Sequence, residues 1–349
     1  MKKHLIAAAV AAAVVAPAAM AQVTVYGLID TSITSTNNVG DPTTGAGTVT
    51  SVNSSLLYTN RLGFRGEEDL GGGLKAGFVV ESSFLSDEES TFSIGNRGAE
   101  VFLTGGFGQV RIGKSASSDA NVVASGPTNL TNFAAGTATR PDNRVQYISP
   151  AFSGFTFNLA YATDSADAEN ETLATKTNNR YGNLGLNYSA GPLRVLVFQA
   201  SADIETAAVV SPAAAAQDGD VKDTGLLASY DFGVAAAQVR YLRTKTSDAV
   251  NTAIDRKTIA LDVTAPLGNG MKLGLGYIDI NNDAADTDSK KYSVYLQKDL
   301  SKRTALYAAY ATVSNDSKAK IGATGNTTDR QPVVGENQNT FGVGIRHSF

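Results

Sequence analysis

The sequence predicts an all-β fold, a 16-stranded antiparallel transmembrane β-barrel, and three observations carry that prediction. The first is the final stretch, Phe341 to Phe349, which reads FGVGIRHSF. Phe341, Val343, Ile345 and Phe349 fall on one parity, while Gly342, Gly344, Arg346 and Ser348 fall on the other; His347 alone breaks the pattern. Successive side chains of a strand point to opposite faces, so this segment is apolar on one side and small or polar on the other. A chain that stops on such a strand leaves an unpaired edge unless another strand closes over it. The expected partner is the first mature strand, beginning near Val23, so that the apolar face meets lipid and the other lines a wet lumen. The second observation is an alternation of short and long connectors. The third is a composition rich in Gly, Thr, Ser, Asn and Tyr, with no apolar run in the mature chain long enough to span a bilayer as a helix.

From the N-terminus, Lys2 and Lys3 precede an apolar run from Leu5 to Val15 and then Ala19-Met20-Ala21. A basic region, a hydrophobic core too short to span and a small-x-small site together read as a cleaved signal peptide over residues 1–21. The mature chain, 22–349, is then 328 residues (349 − 21), with 27 basic side chains (29 − 2) against 33 acidic ones, a formal charge of −6. An acidic exported chain lacks the basic footprint of a nucleic-acid binder. There is no cysteine, and the mature chain keeps one histidine, His347. Disulfide and thiolate-metal architectures are excluded, and a histidine-based triad or multi-histidine metal site has almost nothing to build on.

Along the mature chain, seven connectors are tight and rich in Gly, Pro and Asp: 69–73, 105–108, 149–154, 189–192, 231–233, 266–270 and 299–302. Eight are long and polar: about 37–53, 86–92, 115–143, 164–178, 204–222, 247–255, 282–288 and 316–338. Seven plus eight connections imply sixteen strands with both termini on the short-turn side, and sixteen strands leave an aqueous bore. Between connectors, Leu184, Leu186 and Tyr188 alternate with Gly185 and Asn187. Leu273, Leu275 and Tyr277 alternate with Lys272, Gly274 and Gly276, and Tyr292, Val294 and Leu296 with Ser293, Tyr295 and Gln297. In 304–313 both parities carry apolar residues, so its orientation stays open. Tyr26, Tyr147, Phe152, Tyr161, Tyr188 and Tyr230 gather near strand ends, where interfacial girdles are expected.

The strings YGLID (26–30), RLGFRGEEDLGGGLKAGF (61–78), GGFGQVRIGK (105–114), NRVQYISPAFSGFTFNLAY (143–161), SYDFGVA (229–235), APLGNG (265–270), DLSKRTALYAAYA (299–311) and GIRHSF (344–349) resemble the general-diffusion porins of Gram-negative outer membranes, in particular those typical of beta-proteobacteria. The resemblance runs from Val23 to Phe349. It implies a trimer of barrels with short periplasmic turns, long extracellular loops and a third loop, about 115–143, folded into each pore. It also implies that Phe349 serves as a signal to the outer-membrane assembly machinery. The expected surroundings are membrane lipid and lipopolysaccharide, and the expected cargo is ions and small hydrophilic solutes. No cofactor is expected.

A pore acts through its width and the charges at its narrowest point. Leu62 and Phe64 share the lipid parity, which aims Arg61, Gly63, Arg65 and Glu67 inward; Arg61 matches a pore-wall arginine in the porin motif RLGF. Arg144 shares parity with Gln146, and Arg111 opposes Val110 and Ile112, so both are expected in the lumen. Arg97 stands where the porin motif NRQAYVGL has its arginine, although NRGAEVFL does not settle which way it faces. Converging arginines suggest a positive wall, partly compensated by Glu81. Loop 115–143 is about twice as long as most of the others, and such loops are usually functional; Leu130 and Phe133 could pin it. Many related porins carry PEFGG there, whereas this chain has TNFAA at 131–135, with Asn132 in the glutamate position. The loop keeps Asp119 and Asp142 near its ends. The lost acid tilts the expected selectivity weakly towards anions.

The acidic stretch NNDAADTD (281–288) lacks the glycine and terminal glutamate of a calcium loop and reads as a solvated loop. Four readings follow. The leading one is a passive channel, and the second is a solute-specific porin with a binding site in its pore. The third is an outer-membrane enzyme or adhesin, and no enzyme is expected from a lone terminal histidine. A soluble β-sandwich, the fourth, would partition into water without detergent.

Overall fold

The computed structural model describes residues 23–41, 45–89, 92–114, 117–137, 139–163, 179–206, 217–248, 254–324 and 331–349. The expected signal peptide and the long connector at 164–178 lie outside the described residues. The strands are β1 (Thr24–Asp41), β2 (Gly45–Ser54), β3 (Arg61–Gly71), β4 (Leu74–Ser83), β5 (Gly98–Gly105), β6 (Gly108–Lys114), β7 (Arg144–Ile148) and β8 (Phe155–Ala162). They continue as β9 (Tyr181–Ala190), β10 (Leu193–Thr206), β11 (Gln217–Asp231), β12 (Ala236–Asp248), β13 (Ile254–Gly268), β14 (Met271–Asn282), β15 (Ser289–Asp299), β16 (Thr304–Asn315) and β17 (Gln338–Ser348). All pair antiparallel, and β1 closes the ring against β17 from Leu28↔Ser348 to Thr36↔Thr340.

These segments make sixteen staves, because β2 and β3 share one. β2 pairs with the upper part of β1, from Thr31 to Asp41, and β3 with its lower part, from Thr24 to Leu28. Residues 55–60 leave the ladder between them. Ser55 takes a left-handed φ of 64°, and Leu56 and Leu57 turn into the protein interior. Asn60 Oδ1 and the Asp30 carboxylate accept the Asp30 and Tyr58 backbone N–H groups, at 2.6 and 3.0 Å, so the detour is hydrogen-bonded rather than loose.

The alternation works as hydrophobic burial in lipid demands. Ile33, Phe64, Val101, Ile112, Leu261, Leu275 and Phe341 are exposed on the outside, while Asp30, Ser32, Thr34, Glu100 and Gln146 are buried on the inside. The strand left open by its sequence, β16, turns Ala305, Tyr307 and Ala309 inward and Leu306 and Tyr310 outward. Tyr26 departs from the girdle expectation: its hydroxyl donates to Glu81 Oε2 at 3.0 Å, inside the ring. Tyr188 and Tyr230 do belong to the turn-side rim, packed in tilted ring pairs with Phe155 and Phe232.

The short turns fall where Gly, Pro and Asp predict. Asn269 and Gly270, both at positive φ, join β13 to β14 as a tight hairpin turn. The long connections are shorter than the sequence suggests: β1 runs to Asp41, β2 begins at Gly45, β10 runs to Thr206 and β11 begins at Gln217. A strand that projects beyond the bilayer has water on both faces, so it carries no period-two signal and reads as loop.

At the closing seam, Phe349 and Gly27 exchange backbone hydrogen bonds of 3.1 Å in both directions. The Phe349 ring lies over Gly27, where a Cβ would stand 2.3 Å from it.

Candidate pore constriction

Three arginines face one cavity of about 430 Å³. Arg61 enters it because β3 starts there, directly after the inward detour. Arg97 enters from the segment leading into β5, held by its backbone N–H on Glu81 O at 3.0 Å. Arg140 comes from the connection between β6 and β7. Glu81 balances part of this charge, with Oε1 2.6 Å from Arg97 Nε and Oε2 3.9 Å from Arg61 Nε. Three cations and one anion leave a local charge of +2. Burial, then the charge of Arg97, pushes the Arg140 guanidinium down to about 10, so it remains cationic at neutral pH. Its Nε is buried without a hydrogen-bond partner among the described residues.

The opposite side of the cavity is uncharged. Asn121, Ser125, Pro127, Thr128 and Asn132 line it, and among the described residues no carboxylate lines the cavity. They belong to a short helix, α1 (Asp119–Ala124), capped by Ser118, and to the turn that follows. Asn132 knots this turn: Oδ1 accepts the Gly126 N–H at 2.8 Å, and Nδ2 donates to Asn129 Oδ1 at 3.1 Å.

The loop is held to the wall remote from β6 and β7. Arg240, buried in β12, donates to the carbonyls of Val123 and Ala124 at 3.2 Å and of Thr131 at 2.7 Å, and its Nη2 lies 2.8 Å from Asp262. Asp223 on β11 accepts the Gly136 and Thr137 N–H groups and the Thr137 hydroxyl. Ala120 and Val123 pack among Tyr181, Leu196, Phe198 and Leu242, and Leu130 packs among Leu57, Tyr295 and Tyr307. Asn129 joins the loop to the detour, its N–H on Leu57 O at 2.8 Å and its Nδ2 on Ser55 O at 2.7 Å. The apolar packing therefore gathers behind the loop, and the polar cavity lies between loop and arginines.

The residues proposed from parity separate into groups. Arg61 and Arg97 line the cavity, with Glu81 between them. Arg65 is exposed, its guanidinium 5.2 Å from the Tyr26 ring centroid. Arg111 and Arg144 instead share Glu100, at 2.5 and 2.6 Å, and Arg144 is buried, so their charge is largely internal to the wall. Asp119 is turned away from the cavity. Its carboxylate accepts Asn158 and Asn183 amides at 2.8 Å and fits because Gly185 has no side chain there. Burial raises its pKa, opposed by those amides. Asp119 is thus an anchor of the loop. Asp142 lies on the rim, paired with Lys114.

Sequence reasoning missed Arg140, Glu100, Arg240 and Asp223. Glu100 alternates with Val101 and Leu103 and was legible by parity; Arg240, between Val239 and Tyr241, was likewise. Arg140 sits in an aperiodic loop and carries no such signal.

Comparisons with known proteins agree with this geometry. A family model described as Gram-negative porin matches residues 7–318. The chain is 34% identical over 369 residues to outer membrane porin protein 32 of Delftia acidovorans, with all of both chains covered. It is 28% identical over 364 residues to the major outer membrane protein P.IB of Neisseria meningitidis, again with full coverage of both. Among solved structures it is similar to an anion-selective porin from Comamonas acidovorans, at a TM-score of 0.80 and 31% identity, covering 94% of this chain and 100% of that one. A trimer form of OmpT from Vibrio cholerae, at 18% identity, shares the fold with a TM-score of 0.68, covering 94% of this chain and 99% of that one. A closed ring of sixteen staves, lipophilic outside and polar within, together with these relatives, means that the chain belongs to the Gram-negative porin family and is an outer-membrane porin.

Proposed function

We propose that this porin is a water-filled channel for passive diffusion of ions and small hydrophilic solutes, with a weak preference for anions set at the cavity between Arg61, Arg97 and Arg140 and the loop face around Asn132. One observation carries the selectivity: three guanidiniums face a lining that, among the described residues, holds no carboxylate. A site walled by one sign of charge raises the local concentration of the opposite ion. The buried, unpartnered Nε of Arg140 adds a donor suited to an anion or its water. The similar anion-selective porin from Comamonas acidovorans supports the same reading.

The same reading makes three copies the working assembly, supported by the trimeric relative. It also has the assembly machinery read the strand that ends at Phe349, after export by the segment 1–21. The family is one of channels, and transport here proceeds without a chemical step.

The test is single-channel recording of the purified protein in planar bilayers under a potassium chloride gradient. The expected reversal potential has the sign of chloride permeation. A potential of cation sign would overturn the selectivity, and absence of conductance from folded protein would overturn the channel.

A further inference from the structure

The cavity is bounded by two segments that are not strands. One is the pore loop. The other is the detour at 55–60, whose Leu57, Tyr58 and Thr59 line the cavity beside Arg61. A segment that leaves its ladder needs new partners for its backbone groups, or it does not stay in one place. Most of those partners come from a single residue, Asp30.

Asp30 stands where β1 passes from one neighbour to the other, between the part paired with β2 from Thr31 and the part paired with β3 up to Leu28. It points inward and is fully buried. Its backbone clasps both ends of the detour: its carbonyl accepts the Ser55 N–H at 2.8 Å, and its N–H donates to Asn60 Oδ1 at 2.6 Å. Its carboxylate holds the middle, with Oδ2 accepting the Tyr58 N–H at 3.0 Å and Oδ1 accepting the Tyr307 hydroxyl of β16 at 2.5 Å. Asn60 tightens the knot by donating its own N–H to Ser55 Oγ at 2.9 Å. Arg346 of β17, directly opposite Asp30 on the ladder, lays its guanidinium on the Tyr58 ring, 4.8 Å from the centroid. Tyr58 is thus fixed by its backbone and by its ring.

A buried carboxylate is costly unless donors meet it. The wall of β1 does not require one, because Ser32, Thr34 and Thr36 are buried on the same face without charge. What requires it is the detour, whose Tyr58 N–H has no ladder to enter. The detour in turn stops the pore loop. Asn129 bonds to Leu57 O and Ser55 O, the Thr59 hydroxyl donates to Asn129 Oδ1 at 3.4 Å, and Leu130 packs against Leu56 and Leu57. Loop and detour therefore meet as two jaws, and one of them is held by Asp30.

We propose that Asp30 is a positioning residue of the constriction: by fixing the 55–60 detour as the jaw against which the pore loop rests, it sets the largest solute that passes. Asp30 touches no solute itself. The inference rests on the channel reading and concerns the width of the bore, whereas the arginines concern its charge.

Single-channel recording of the folded protein with polyethylene glycols of increasing size on both sides tests it. Polymers that enter the bore lower its conductance, and excluded ones do not. Asp30→Ala leaves the Tyr58 N–H and the Tyr307 hydroxyl without their acceptor. It is expected to admit polymers that the wild type excludes and to replace a steady current by fluctuating levels. Asp30→Asn is expected to restore the wild-type cut-off, since its amide oxygen still accepts the Tyr58 N–H and its Nδ2 donates to the Tyr307 oxygen. A role confined to stability would lower resistance to unfolding and leave the cut-off where it is. An unchanged cut-off in Asp30→Ala, or an Asp30→Asn channel as wide as Asp30→Ala, overturns the proposal. If Asp30→Ala does not fold, Tyr307→Phe, which removes one donor and keeps the carboxylate, is expected to raise the cut-off by a smaller step, and an unchanged cut-off there overturns it equally. The reversal potential should keep the sign of chloride in every variant, because Arg61, Arg97 and Arg140 are intact; a reversed sign in Asp30→Ala alone would make Asp30 a charge element and overturn the proposal. A wild type without conductance fails the channel and this inference together, whereas a conducting wild type whose cut-off ignores Asp30 fails this inference alone.

Discussion

Arg61 and Arg144 follow from the same parity argument, yet their surroundings give them different work. Arg61 is partly exposed in the cavity, with its nearest carboxylate 3.9 Å away; Arg144 is buried against Glu100 at 2.6 Å. Removing one partner of a buried pair strands the other charge, typically at a cost of about 3–5 kcal/mol. Arg144→Gln is therefore expected to lower resistance to urea unfolding while moving the reversal potential little. Arg97→Gln and Arg140→Gln should do the reverse, shifting the reversal potential towards cations in a folded channel. Equal potentials for Arg97→Gln, Arg140→Gln and wild type would remove the cavity from the selectivity argument. Which of these inward arginines is wet and which is buried depends on Glu100 and Glu81, contributed by neighbouring strands, and no single strand's alternation contains that.

At the scale of elements, the pore loop is positioned by Arg240. One guanidinium satisfies three loop carbonyls and stacks 4.9 Å from the Phe133 ring centroid, so the loop's seat depends on a residue more than a hundred positions away. Arg240→Gln is expected to give larger and noisier single-channel currents and faster protease cleavage within 117–137. A quiet trace and unchanged cleavage would show that Asp223 and the apolar contacts of Ala120, Val123 and Leu130 suffice. The strand detour at 55–60 belongs here too. SSLLYTN offers Leu56 and Leu57 in succession, which fits neither a lipid-facing nor a lumen-facing alternation, and this mismatch is the local sign that the ladder is broken. Where the two leucines go was set by Leu130 and Asn129 of the loop, so the strand that carries Leu62 and Phe64 begins only at Arg61.

For the whole molecule, the seam between β1 and β17 decides whether the ring closes. Gly27 leaves room for the Phe349 ring, and any side chain there must displace it. Gly27→Val is expected to lower the temperature at which the folded barrel converts to the unfolded band on a detergent gel, and Phe349→Ala to slow assembly in vivo. Unchanged conversion temperature in Gly27→Val would mean that the backbone pair alone holds the seam.

Taken alone, the sequence determined the parity of strands with a clean alternation, the seven tight turns, the count of sixteen and the identity of the C-terminal strand, because lipid on one side and water on the other impose a period of two on a segment within the bilayer, while β16, apolar on both parities, stayed open. It could not determine which inward charges neutralise one another, because cross-strand partners such as Arg111 and Glu100, or Arg240 and Asp262, are brought together only by register. Nor could it mark where strands leave the membrane, since both faces are then wet and the alternation that announces a strand disappears. The tertiary structure decided those points, and with them which arginines face the cavity.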